Sequence, residues 1–220
     1  DYGAAFGKTD TAEYRAMNPN GLVPTIKDGE TVIWESAAIV RYLACKYGDE
    51  QFWPRDPGAR AQLDMWAEWM KSTIYPDFTM TVFIQLVRTA KSARNVAAVA
   101  AAEARLKQNW TLLDARIGKG PWLNGEHFSF ADIACGVMLH RFNTLEHDRP
   151  DVPNLDAYYE RLMARPAYAH VAVSFEALRH PEACVYFRIP FQPRATRSLT
   201  RLRDSRLCRC WRGDGVPAVG

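Results

Sequence analysis

Apolar and polar positions change period twice along the chain. Leu22 to Lys27 and Thr31 to Trp34 are β-prone runs joined through Asp28-Gly29. Asp-Gly between such runs predicts a hairpin, because a tight primed turn needs a positive φ. From Ser36 the period becomes helical. Ile39, Val40, Leu43 and Tyr47 recur at three and four, and Gly48 supplies a stop, so a helix is predicted over 36–47. A shorter helix over Asp10 to Met17 precedes the hairpin. Gln51 to Gly58 (QFWPRDPG) is proline-rich and irregular, and no strand signal follows it.

Beyond that segment the pattern is helical throughout. Asp56-Pro57 caps a helix whose stripe is Leu63, Trp66, Met70 and Ile74, with Pro76 expected to bend or break it. Asn95 to Ile117 carries Val99, Leu106, Trp110, Leu113 and Ile117 on one face. Further helices are predicted over Ser129 to Thr144, Leu155 to Ala164 and Ala167 to Leu178. Ser129 and Asp132 are structural residues. Serine three residues before an acid is a capping box, and Phe128 with Ile133 is placed to staple the helix start. The predicted organisation is a small mixed domain over 1–50, a linker over 51–58, an all-helical domain over 59–182 and an irregular tail over 183–220.

Composition narrows the classes. With 48% apolar and 24% charged residues in 220, the chain reads as a packed soluble protein able to bury a core without disulfide or metal staples. The net charge of +3 implies no nucleic-acid or membrane partner for the whole molecule. Its distribution is uneven. Residues 183–220 hold eight arginines against Asp204 and Asp214, or +6, which leaves −3 for the rest. This block is expected to be disordered, and reads either as an extension without function or as a tether for RNA or an acidic partner. The five cysteines, Cys45, Cys135, Cys184, Cys208 and Cys210, are odd in number and form no framework. Cys45 and Cys135 read as small buried residues, and reduced thiols favour a cytoplasmic location. No apolar run is long enough to span a membrane. No metal is expected, since the histidines show no ligand spacing.

The candidate chemistry lies at Asn18 to Ile26 (NPNGLVPTI) and at Glu35-Ser36. A cis Val23-Pro24 bond at a strand entrance would turn the Val23 amide and carbonyl outward. Ser36 offers a hydroxyl and unpaired N–H groups at a helix N-terminus, which suit a carboxylate, and Glu35 suits an ammonium. An extended γ-glutamyl peptide needs this combination. The same residues also read plainly, with Ser36 as a helix cap, Pro24 as strand punctuation and Glu35 as a first-turn acid.

The run NPNGLVPTIKDGETVIWESAAIVRYLA resembles the glutathione-binding half of cytosolic glutathione S-transferases, and FSFADIA resembles the capping box of their helical domain. The resemblance spans residues 6 to about 180. It implies an α+β/α fold class: a thioredoxin-like N-terminal domain, here partial, followed by an all-helical domain, usually in a homodimer. It implies that Val23 pairs its backbone with the cysteinyl part of glutathione beside a cis Pro24. Glu35 and Ser36 would hold the γ-glutamyl group, and Lys8 or Thr9 the glycyl carboxylate. Leu22 stands where many relatives carry Lys or Arg, so one contact is expected to be absent. The partners implied are glutathione, as co-substrate rather than cofactor, and a hydrophobic electrophile.

In the family, a Ser, Tyr or Cys after the first strand activates the glutathione thiol, and that position is expected upstream of Asp1. Tyr2, Thr9, Thr11 and Tyr14 follow no recognisable first strand. The chain starting at Asp1 is therefore expected to bind glutathione poorly and turn over slowly. Two other readings share the scaffold: glutathione-dependent isomerisation or reductive dehalogenation, and a non-catalytic binding or assembly domain. Tyr75, Phe78 and Trp69 are candidate lining residues of the electrophile pocket.

Overall fold

The computed structural model describes residues 6–171. Tyr2, the end of the last predicted helix and the arginine-rich block lie outside the described residues. The chain divides into two compact units between Tyr47 and Gly48.

The first unit holds helix α1 (Ala12–Met17), strands β1 (Thr25–Asp28) and β2 (Thr31–Trp34), and helix α2 (Ser36–Tyr47). Thr11 caps α1, its Oγ1 accepting from the Tyr14 N–H at 3.3 Å. The strands pair antiparallel from Thr25 opposite Trp34 to Asp28 opposite Thr31. The two turn residues are thus Gly29 and Glu30 rather than Asp28 and Gly29, with Gly29 at φ +62°. Glycine opening a two-residue loop is what a type II′ turn requires. The register also moves Asp28 into the strand, where it is buried. β1 starts at Thr25, later than the predicted Leu22, since Pro24 has no N–H to give a ladder.

The second unit begins at Gly48. Residues 51–58 pack within it: Pro54 is buried, Phe52 stacks on Phe128 at 6.1 Å and Trp53 tilts against Phe130 at 4.6 Å. Asp56 caps α3 (Pro57–Trp69) through its carboxylate and the Ala59 N–H. Helix does not stop there. A π-helical turn over Met70–Ile74, a short α4 (Tyr75–Asp77) and a π-helical segment over Phe78–Arg88 continue it. Pro76 therefore does not break the helix. Wide turns bond five residues apart, so the missing proline N–H falls where the ladder is already loosened. The Thr81 hydroxyl donates to the Pro76 carbonyl, five residues back, at 3.2 Å.

A 3-10 turn over Lys91–Ala93 leads to α5 (Val96–Ile117), capped by Asn95, whose Oδ1 accepts from the Ala98 N–H at 3.0 Å. All five predicted stripe residues of α5 are buried. Then come α6 (Phe130–Thr144), α7 (Pro153–Met163) and α8 (Pro166–Val171). Trp110 of α5 meets Phe142 of α6 at 4.4 Å, and Phe78 closes on Trp110 at 6.1 Å and His147 at 5.5 Å. Phe78 is thus a core residue and not a pocket wall. Gly136 of α6 lets Tyr168 approach, and the Tyr168 hydroxyl donates to its carbonyl at 2.6 Å.

Asp132 ties this unit together and is fully buried. Its Oδ2 accepts from the Ser129 N–H at 2.7 Å and the Ser129 hydroxyl at 2.8 Å. Its Oδ1 accepts from the Leu123 N–H at 3.0 Å and the Tyr158 hydroxyl at 2.7 Å. One carboxylate thereby fixes the start of α6, the preceding loop and α7. The predicted staple takes another form. Ile133 is 37% exposed, while Phe128 packs against Phe52, Trp122 and the Arg165 guanidinium.

Candidate functional site

The candidate site lies at one end of the hairpin in the first unit. Because Thr25 faces Trp34, the residues entering β1 and those leaving β2 emerge at the same end of the two-stranded sheet. Val23-Pro24 enters there and Glu35-Ser36 leaves there. The Val23-Pro24 peptide is cis, and both residues are exposed and outside the ladder. Leu22 before them is 66% exposed and brings no charge.

A network beneath holds this approach in place. The buried Tyr14 hydroxyl donates to the Leu22 carbonyl at 2.7 Å and lies 2.9 Å from the Thr25 hydroxyl. Asn18, also buried, donates to the same carbonyl at 2.7 Å and to Thr25 Oγ1 at 3.2 Å. The sequence NPNG is legible in these terms. Asn18 Oδ1 accepts from the Asn20 N–H at 3.1 Å, and Gly21 turns at φ +64°. A Cβ on Gly21 would lie 2.9 Å from the Thr9 carbonyl oxygen, so the 8–9 segment passes directly against the 21–22 bend. Lys8, at φ +64°, is exposed, and its carbonyl accepts from the Thr11 hydroxyl at 2.8 Å.

At the other side of the site, Glu35 stands at φ +73° and its carbonyl accepts the first helical bond of α2, from the Ile39 N–H at 2.9 Å. Glu35 is therefore the backbone cap and Ser36 the first helical residue. A non-glycine residue held at positive φ is costly and concentrates at ligand-binding positions. Ser36 is exposed, with its hydroxyl and the first amides of α2 at the positive end of a twelve-residue helix. The end of the hairpin thus offers an exposed backbone segment, an anion-favouring helix start, a carboxylate and, from the 8–9 segment, a lysine. Thr11 and Tyr14 spend their hydroxyls on the structural bonds above.

Sequence reasoning missed the cluster at the other end of α2. Asp28 is 8% exposed and receives the Tyr42 hydroxyl at 2.8 Å, the Tyr47 hydroxyl at 3.0 Å and the Lys46 ammonium. The Lys46 hydrogen bond holds the Asp28 carboxyl below its ordinary range against the opposing effect of burial, and the two tyrosines add to it. The signal was Tyr42, Lys46 and Tyr47 within the last two turns of α2, but only the register shows that Asp28 faces them. Cys45 on the same helix is exposed, not buried, whereas Cys135 is buried, and burial pushes its thiol up.

Among the described residues no group of acids, histidines and cysteines is arranged to hold a metal, and no helix is long and apolar enough to cross a membrane.

Comparison with known proteins gives a consistent set of likenesses. Residues 5–45 match the family model described as glutathione S-transferase, N-terminal domain, and residues 96–161 match that of the C-terminal domain. The chain is 36% identical to glutathione S-transferase GstB of Escherichia coli, over 78% of this chain and 83% of that protein. It is 31% identical to glutathione S-transferase F14 of Arabidopsis thaliana, over 79% and 71% of the two chains. Among solved structures, it resembles a theta class glutathione S-transferase from Xanthomonas axonopodis pv. citri with glutathione bound. That likeness has a TM-score of 0.71 and 41% identity, over 78% of this chain and 82% of that one.

Proposed function

The chain belongs to the glutathione S-transferase family, and from that premise we propose that the hairpin end carrying Val23, Pro24, Glu35, Ser36 and Lys8 is its glutathione site. The Val23 N–H and C=O pair with the cysteinyl backbone. The Ser36 hydroxyl and the first amides of α2 take the γ-glutamyl carboxylate, Glu35 takes the ammonium, and Lys8 takes the glycyl carboxylate. The observation that carries this reading is the register, Thr25 opposite Trp34, which brings both halves of the proposed groove to one edge of the sheet. The exposure of Val23, the positive φ of Glu35 and the packing of Thr9 against Gly21 support it.

The protein is a glutathione transferase, and the relatives named above are transferases rather than assembly subunits. In the reaction the glutathione sulfur, as thiolate, attacks an electrophilic carbon. A C–S bond forms, the leaving group departs with its electron pair and the thiol proton passes to solvent. We infer a hydrophobic electrophile, a homodimer, a cytoplasmic location and no resident cofactor, glutathione itself being consumed.

Glutathione titration by calorimetry on the full chain, Ser36→Ala and Glu35→Gln tests the site. Ser36→Ala removes a hydrogen bond to the carboxylate and Glu35→Gln removes the negative charge facing the ammonium, so affinity should fall on the order of 10-fold or more in each. Unchanged affinity in both variants refutes the assignment.

A further inference from the structure

Among the described residues of the helical unit, Arg141 is a cation without an acidic partner. Arg141, on α6, is half-buried, and burial pushes its guanidinium below the ordinary range. Its partners are neutral. Nη1 donates to the Thr79 hydroxyl at 3.2 Å, and the guanidinium lies over the Phe83 ring, 5.3 Å from its centroid. The Thr79 hydroxyl in turn lies 3.3 Å from Met138 Sδ. No ion pair of the described residues includes Arg141. Other arginines of the unit behave differently: Arg105 grips Asp77 with two bonds of 2.6 and 2.9 Å, and Arg149 meets Asp156 at 2.6 Å.

A guanidinium drawn from water without an acid is expensive, and it keeps several of its five N–H donors for something else. The surroundings indicate what. Phe83 forms an aromatic floor and Thr79 orients the planar fork. A planar fork with free edge donors suits a carboxylate, and the adjoining ring suits an apolar or aromatic body.

We propose that Arg141, oriented by Thr79 and lying over the Phe83 ring, is an anion subsite of the helical unit that binds aromatic carboxylates. The proposal concerns binding within the helical unit and does not rest on the transferase reading. Arg141 acts on the ligand's acidic group.

The test uses the full chain and a matched pair of probes, with binding read for 3,5-dinitrobenzoate against 1,3-dinitrobenzene. In the parent protein the benzoate should bind at least 10-fold more tightly than its neutral partner. Arg141→Met should weaken the benzoate on the order of 10- to 100-fold and leave the neutral compound within about 3-fold. Arg141→Lys should recover part of the affinity, since charge returns without the fork. Circular dichroism and melting establish that each variant is folded. If Arg141→Met does not fold, Thr79→Val serves, and should weaken benzoate binding several-fold. Equal benzoate affinity in parent and folded variants overturns the proposal, as does a parent that does not prefer the acid.

Discussion

Truncating Asp132 to alanine should be among the most damaging single changes in the helical unit. The carboxylate accepts four hydrogen bonds in a fully buried position, two from Ser129 and one each from Leu123 and Tyr158. Alanine leaves the Leu123 and Ser129 N–H groups and the Tyr158 hydroxyl without an acceptor, at about 1–3 kcal/mol each. Against this stands the recovered cost of burying a carboxylate, which also raises the Asp132 pKa. The net loss should be about 3–5 kcal/mol. Asp132→Asn keeps the acceptor for Leu123 and Tyr158 but turns an amide NH₂ toward the Ser129 N–H, and should cost about 1–3 kcal/mol. Ser129→Ala should cost about 1 kcal/mol. Urea unfolding followed by tryptophan fluorescence measures all three, since Trp122 packs on Phe128 and Tyr158 at 5.2 and 5.7 Å. The sign of the pH dependence follows. A raised folded pKa means the native state prefers the proton, so this stability is present at acid pH and lost as pH rises through the folded value. The parent's advantage over Asp132→Asn should therefore grow on acidification. An Asp132→Ala loss under about 1 kcal/mol, or one smaller than that of Ser129→Ala, would refute the argument.

Asp28 should behave oppositely. Its folded pKa is lowered, so the stability it contributes is present at neutral pH and lost as pH falls below the ordinary carboxyl value of 3.8. Asp28→Asn should cost about 1–3 kcal/mol at neutral pH, with the deficit closing in acid, as read by denaturation of the parent and variant across pH. Gly21→Ala meets both a positive φ and a backbone oxygen 2.9 Å from the new Cβ. It should destabilise the first unit by about 2 kcal/mol or more, which thermal unfolding would show as a lowered midpoint.

Local patterns were legible where local physics decides. The helix over 36–47, the aspartate cap at 56 and the serine start of α6 followed from period and capping chemistry. The hairpin was legible but its turn was not. Moving Asp28 from loop to strand depends on the carboxylate finding Tyr42, Lys46 and Tyr47, partners 14 to 19 residues away. Pro76 marks where the helix leaves its regular α ladder, but that the chain continues there as wide turns rather than stopping was not legible from local pattern. At the site, NPNG and Glu35-Ser36 could be singled out from spacing, but the pairing that joins them is tertiary. Thr79 and Arg141 are 62 residues apart, and no periodicity brings them together.

The wide turns over Phe78–Arg88 also make chain length a lever on selectivity. A π-helical turn amounts to an α-helix that has absorbed an extra residue, and each residue of an α-helix turns about 100°. Removing one residue beyond Pro76 should let the segment tighten and swing its later side chains around the helix axis. Thr79 and Phe83 would then no longer face the same neighbour, so a single-codon deletion, rather than any substitution, should be an economical route by which variants change the acids they accept.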